Sequence, residues 1–424
     1  GVNPGKHRIF DFYLPDFATY LPILSSAQIN TRRTYLRIGP VRIPRSKTSV
    51  RFLRQAKSFW KTLGEHGVFS SVLRVPISFP PEKFYGTCLS AMCTPDLRGS
   101  QGAFTCLSNA PKHDTSDVLD ASYVHFHLEQ GAFTAKIPGP PGDSHQSSLG
   151  LPIKGWVDVG DQTVRMRING IDHVLRKGFY TPWITLEFRD GRKKIKGIAR
   201  FLLTSFDPYV QIYMTPINID PEKPALPVSE PIYYSMILSK LYGPFSTLGL
   251  SEDTWALNER VIDEQQFLDQ AYDIFEERKK HFFDALAKNK GGLVVNVFDT
   301  PDRIQHMFFR YLDDEHPANA DKDTKQHKDA VLDMYRRMDH LVGEVRSQIG
   351  KRDVLMVISD HGFTQFKWGV NLNTWLWQSG YLVLKEGARP GDNPWFQNVD
   401  WHRTRAYALG LAGVFINTRG RERE

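Results

Sequence analysis

Two short stretches concentrate the residue types that bind metal ions. Asp299-Thr300-Pro301-Asp302-Arg303-Ile304-Gln305-His306 follows the apolar run Leu293 to Phe298, and Asp360-His361-Gly362 follows the apolar run Val354 to Ser359. Carboxylate oxygen and neutral imidazole nitrogen are the usual protein donors to zinc and related divalent ions. In the first stretch a four-residue offset sets Asp302 and His306 on one side of a helical turn. In the second, adjacent residues on a strand face opposite ways, but a loop just past the strand end can turn both inward, and Gly362 permits that turn. Taken alone, an Asp-x-x-x-His set is commonly a helix-capping Asp with a surface His behind it. An Asp-His-Gly after a strand is more telling, because strand-end acidic residues of α/β sheets so often serve a site. Together they point to one metal centre holding Asp302, His306, Asp360 and His361.

The elements that must position these residues follow from periodicity. Leu293 to Phe298 and Val354 to Ser359 are nearly all apolar, the pattern of strands buried on both faces of a parallel sheet. A helix rich in Phe267, Leu268, Ala271, Ile274 and Phe275 precedes the first. A longer helix lies between the two, and its Val331, Tyr335, Met338, Val342, Val345 and Ile349 form one apolar face suited to packing on the sheet. Helices between parallel strands imply right-handed crossovers, and ligands then bind beyond the carboxyl ends of the strands. Nearer the start, Phe52, Leu53, Ala56, Phe59, Trp60 and Leu63 predict a helix, and Val68 to Val75 predicts a buried strand.

Between about Tyr123 and Tyr213 the period becomes two. Trp156 to Val159 and Val164 to Ile168 alternate, Asn169-Gly170 signals a type I′ turn, and Asp190-Gly191 separates two further strand-like runs. The cluster Pro138-Gly139-Pro140-Pro141-Gly142 reads as a loop, and Pro216, Pro221, Pro224, Pro227 and Pro231 as an exit linker. The expected fold class is α/β, a mostly parallel sheet with flanking helices plus an antiparallel β-rich insertion. Residues 1–113 form the first part of the α/β core, 114–215 the insertion, a candidate cap, 216–231 a Pro-rich linker, and 232–424 the metal-binding part.

Hydrophobic residues make up 41% of the 424 positions and charged residues 24%, enough apolar surface to offset the entropy of ordering the chain. The net charge of +7 suits an anionic substrate but does not select one. Arg192-Lys193-Lys194 and Arg419 to Arg423 are ordinary solvated charge runs, so no nucleic-acid partner is expected. Phe308, Trp368, Trp375 and Trp377 read as core, and His316 and His327, in a polar stretch, as solvated. Cys88, Cys93 and Cys106 lack zinc-finger or C-x-x-C spacing, so reduced thiols are expected. No run of about 18 apolar residues occurs, so no membrane span is expected in this chain. Few cysteines and no visible signal peptide suit a cytoplasmic location.

Several motifs carry a family resemblance. They are Asn3-Pro4-Gly5-Lys6-His7 with Ile9-Phe10-Asp11-Phe12, Leu89-Ser90-Ala91-Met92 with Pro95-Asp96-Leu97-Arg98-Gly99, and Asp302-Arg303 with Gln305-His306-Met307-Phe308. They continue in Ser359-Asp360-His361-Gly362-Phe363, Gly369-Val370-Asn371-Leu372-Asn373 and Thr404 to Gly410. With these the chain resembles the type I phosphodiesterase and nucleotide pyrophosphatase branch of the alkaline phosphatase superfamily, specifically its predicted phosphohydrolases.

The resemblance implies two divalent ions, zinc foremost with manganese or iron as alternatives. Asp302 and His306 match ligands of one ion, Asp360 and His361 those of the other. It also implies a small-molecule phosphate ester substrate, a diester or nucleotide pyrophosphate ahead of a monoester, attacked by a Ser or Thr. That nucleophile and a first-strand Asp match positions before Gly1, and a further His matches a position after Glu424, so both ends look cut and this stretch is expected to be inactive alone. Arg8, Ala91 and Cys93 stand where the family pattern has Gly, and His402 where a small hydroxyl residue is usual. Sulfatase-like or phosphomutase-like chemistry, or a non-catalytic binding role, are the alternatives.

Overall fold

Short apolar runs become strands here where a neighbouring backbone offers a ladder. In the computed structural model, which describes residues 3–38, 41–111, 121–142, 148–320, 324–392, 396–411 and 413–420, the chain divides into two compact units. One comprises residues 1–251, 280–297 and 371–424, the other residues 252–279 and 298–370.

In the larger unit the strand Ser70–Leu73 is fully buried and pairs in parallel with Gly86–Leu89 on one side and Leu293–Asn296 on the other. The expected strand at 68–75 and the parallel pairing of the run at 293 are therefore present. Leu293–Asn296 is only half-buried, because it pairs on one side alone among the described strands. A short strand, Ser229–Glu230, adds antiparallel to Gly86–Leu89 and makes this sheet mixed. The helix expected over Phe52 to Leu63 covers only Phe59–Glu65. Phe52 instead ends the strand Val41–Phe52, where its backbone ladders with Ala27.

The period-two region is antiparallel through most of its length. Strands Ala132–Pro141, Ser148–Asp158, Thr163–Ile168 and Ile171–Arg176 form a four-stranded sheet in chain order. Val164, Met166 and Ile168 point into the core while Arg165 and Arg167 face water. Phe133 continues that core, stacked at 4.0 Å on Phe126. Asn169 at φ 51° and Gly170 at φ 83° close the hairpin, the pair of positive φ values a type I′ turn requires. A second hairpin joins Ile184–Asp190 to Lys193–Ala199, with Gly191 at φ 58°.

Pro138 to Pro141 lie in the strand Ala132–Pro141 rather than in a loop. Proline lacks the N–H an interior strand must donate, and this strand is the sheet's edge, where that loss is tolerated. Strand Gln211–Met214 pairs antiparallel with Phe104–Ser108, which itself pairs in parallel with Ala121–His125. The expected insertion boundary at 114 lies outside the described residues. The whole is a mixed α/β fold with several sheets, some containing parallel pairs.

The smaller unit is mostly helical. It contains the first part of the helix Glu264–Lys288, then Thr300–Phe308 and Ala330–Gln348. In the last, Val331, Met334, Leu341 and Val345 are buried, and the helix packs on Thr300–Phe308. Tyr335 falls off that face and is 57% exposed, its hydroxyl 3.2 Å from Gln305 Oε1.

The second expected strand does not form. Residues 354–359 make no ladder with any described strand, and Val354, Met356 and Ile358 are 85%, 75% and 83% exposed. An apolar run specifies that burial is favourable, but a strand also needs a backbone partner, and no described strand is placed beside this one.

Trp368 and Trp375 are largely exposed and Trp377 partly so, whereas Phe308 is fully buried. His316 and His327 are buried, contrary to expectation. Each has a local reason. His316 accepts at Nδ1 from the Ala318 amide and donates from Nε2 to the Phe366 carbonyl at 2.8 Å, while His327 lies against the rings of Phe308 and Tyr311. Among the described residues no helix is long and apolar enough to cross a membrane.

Candidate functional site

The helix Thr300–Phe308 begins with Asp299 at its N-cap position and Pro301 in its first turn, where a missing N–H costs nothing. Asp302 lies in that first turn, favoured there by the helix dipole, and His306 in the last. One turn separates them, and Asp302 Oδ1 is 3.4 Å from His306 Nε2.

Asp360 and His361 reach the same place from an irregular segment. His361 Nε2 is 3.8 Å from Asp302 Oδ1 and 3.6 Å from Asp360 Oδ2. The His361 ring is oriented from behind, since Nδ1 lies 3.0 Å from the Gly362 carbonyl, which can only accept. Nδ1 therefore carries a proton, and Nε2 is the ring nitrogen turned toward the carboxylates. Ser359 Oγ donates to the His361 carbonyl at 2.6 Å, and the ring of Phe363 sits edge-on to both imidazoles, 5.0 Å from His306 and 5.4 Å from His361. Further along, the segment is fastened by the His316 to Phe366 hydrogen bond and by an ion pair of Lys367 with Asp313 at 2.7 Å.

The site is open on one side. Asp302 keeps 28% of its side-chain surface, His306 54%, His361 53% and Asp360 88%. Burial opposes ionisation of Asp302, but the contact with His306 and the charges of Arg303, His306 and His361 outweigh it and hold the carboxyl below its ordinary value. His361 is pushed up by its bond to the Gly362 carbonyl, then by Asp360 and Asp302.

Beneath the helix start lies a buried network that the sequence did not suggest. Arg278 donates to Glu252 Oε1 at 2.9 Å and to Thr300 Oγ1 at 3.0 Å, and it pairs with Asp299. Thr300 Oγ1 donates to Glu252 Oε1 at 2.8 Å. These contacts hold the first residues of the turn that carries Asp302. Asp299 and Thr300 could have been noticed beside the motif, but nothing in the sequence marks Arg278 or Glu252.

Two donors held tetrahedrally by one zinc ion at about 2.0 to 2.1 Å are about 3.3 Å apart. The Asp302 to His306 spacing of 3.4 Å lies close to that value, the Asp360 to His361 and Asp302 to His361 spacings of 3.6 Å and 3.8 Å are longer, and oxygen with imidazole nitrogen is a suitable donor set. Among the described residues, however, no three His, Cys, Asp or Glu side chains converge on a single point at ligand distance. The donors thus approach one another in pairs, and no closed metal shell is formed among the described residues.

Other motif stretches meet in the larger unit. Asn371 caps the helix Leu372–Gln378, and Asn373 bonds both the amide and the carbonyl of Ala408. Asp11 accepts from the Leu411 amide at 2.9 Å, and any Cβ on Gly410 would strike the Asp11 carboxylate. Three segments widely separated in sequence are joined this way.

The sequence profile of the type I phosphodiesterase / nucleotide pyrophosphatase family matches residues 168–421, well over half the chain. All four donors fall inside the match, while Asn3 to His7 and Leu89 to Gly99 fall outside it. No curated protein and no solved structure matches the chain. The chain belongs to the type I phosphodiesterase / nucleotide pyrophosphatase family, within the alkaline phosphatase superfamily.

Proposed function

We propose that this chain carries part of the centre of a metal-dependent hydrolase of phosphate esters, acting on phosphodiester or nucleotide pyrophosphate bonds. The observation that supports this reading is the meeting of Asp302, His306 and His361 within 3.4 to 3.8 Å from separate segments of a chain with this family membership. Asp302 and His306 would hold one divalent ion, and Asp360 and His361 a second. A bound divalent ion supplies Lewis-acid polarisation of phosphoryl oxygens. Zinc fits the mixed oxygen and nitrogen donors, with manganese or iron as alternatives.

The remaining roles fall to the protein's own groups. Asp302, kept ionised, supplies charge as well as a ligand atom. Gly362 fixes the tautomer in which His361 Nε2 can coordinate. Arg303, 3.7 Å from Asp302 Oδ2, adds positive charge beside an anionic substrate. The attacking group would be a Ser or Thr hydroxyl.

The test uses metal analysis and turnover on the full gene product. Metal retained after dialysis, with faster cleavage of bis(p-nitrophenyl) phosphate than of p-nitrophenyl phosphate or sulfate, is the expected result. Equal activity after complete chelation would overturn metal dependence, and a preference for the sulfate would favour the sulfatase-like alternative.

A further inference from the structure

The outer faces of the antiparallel sheets border an open groove of about 1240 Å³. Lys136, Lys154, Arg167, Arg189 and Lys196 line it against one carboxylate, Glu187. That carboxylate is already paired, at 3.3 Å with Arg189 and 3.1 Å with Lys194, and Arg167 is satisfied by Asp172 through two hydrogen bonds. Lys136, Lys154 and Lys196 make no ion pair among the described residues. Glu187 stands opposite Lys196 in the strand register and offsets part of its charge, so five cations share one recess with a single carboxylate, an excess of positive charge that an anion would relieve.

The strand register makes this arrangement. Lys154 stands opposite Arg167 on one side and Thr134 on the other, so the basic residues lie on one face while Ile153, Met166 and Ile168 fill the core. A side chain at position 150 would strike Lys136, its Cβ 1.7 Å from Lys136 Cε, so Gly150 is what lets that lysine lie across the sheet. Trp183 also lines the groove, and Arg165 and Arg167 lie over the ring of Trp156, 4.9 Å and 5.5 Å from its centroid.

We propose that this groove, and not the basic runs whose solvated character led the sequence to suggest no such partner, binds single-stranded nucleic acid, with the lysines on backbone phosphates and the tryptophan and guanidinium planes against the bases. A flexible polyanion can enter a recess, whereas a flat anionic bilayer meets only protruding groups. The proposal does not depend on the metal centre and concerns a surface remote from it in sequence.

Fluorescence anisotropy of labelled dT20 and rU20 tests it at 50 to 200 mM salt, beside sedimentation with phosphatidylserine vesicles. The chain should bind at least one of the two strands, and three phosphate contacts should give a log–log salt slope of about −2. K136E/K154E/K196E should weaken binding more than tenfold and flatten the slope. K83E/K240E/K290E changes the net charge equally at exposed lysines on other elements and should leave binding within twofold. Unchanged thermal unfolding shows that each variant is folded. Absence of salt-dependent strand binding, equal loss in both triple variants, or binding to vesicles alone would overturn the proposal.

Discussion

Glu252 and Arg278 form an ion pair at 2.9 Å with both side chains withdrawn from water, 0% and 4% exposed. The pair is completed by Thr300 and by Asp299, so every charge in it has a partner. Breaking a buried pair from one side leaves the other charge uncompensated, at a cost of about 3 to 5 kcal/mol. Arg278→Met should therefore lower stability by that order in urea unfolding, and a loss below about 1 kcal/mol would show that the network is better hydrated than its burial indicates.

The same network sets a response to acid. Burial opposes ionisation of Glu252, but Arg278, Arg303 and the Thr300 hydroxyl outweigh it and hold the carboxyl below its ordinary 4.5. A depressed carboxyl stabilises the fold above the unfolded value and loses that contribution as pH falls through the folded value. The window lies below pH 4.5. Stability should fall more steeply there in the native protein than in Glu252→Gln; parallel curves would refute the assignment.

Asp302 Oδ1 lies near both imidazoles, 3.4 Å from His306 Nε2 and 3.8 Å from His361 Nε2, whereas Asp360 approaches only His361, at 3.6 Å, and is far more exposed. If the proposed centre binds zinc, Asp302→Asn should weaken affinity by more than about tenfold, and Asp360→Asn by less. Calorimetric titration with zinc gives both numbers. The reverse order would mean that the ion sits on the Asp360 side.

Backbone conformation alone separates two glycines. Gly170 has open space around its missing side chain but sits at φ 83°, so Gly170→Ala should cost about 1 kcal/mol. Gly343 lies in the helix Ala330–Gln348, also with open space, and Gly343→Ala should stabilise by about 0.5 to 1 kcal/mol. Chemical unfolding of the two variants should give shifts of opposite sign.

Cys88 and Cys106 are buried, and desolvation pushes both thiols up to about 12; Cys93 is raised for the same reason. A thiol held in its protonated form is a poor nucleophile. Native protein should take up iodoacetamide at none of the three at pH 8, and urea-unfolded protein at all three, as read by mass spectrometry.

Much of the local structure was legible. The type I′ turn at Asn169-Gly170 and the strand after Gly67 follow from residues that allow one backbone and disfavour others. The Pro138 to Pro141 stretch misled, because proline excludes interior strands without excluding an edge, and edge position is a property of the sheet. His316 and His327 misled for a similar reason. A polar neighbourhood in sequence says little about which carbonyl or ring a histidine will meet after folding.

By itself the sequence determined the donor types and the one-turn spacing of Asp302 and His306, since helical geometry converts an offset of four into proximity. It also determined the alternation that sorts Arg165 and Arg167 from Val164 and Met166. Only the tertiary structure decided that His361 faces Asp302, that Arg278 and Glu252 brace the start of their helix, and that Lys136, Lys154 and Lys196 share a groove. The physical reason is that local sterics and periodicity act within a few residues. Contacts across tens of residues depend instead on which ladders and packed faces form, and the exposed run at Val354 shows that apolar character does not name its own partner.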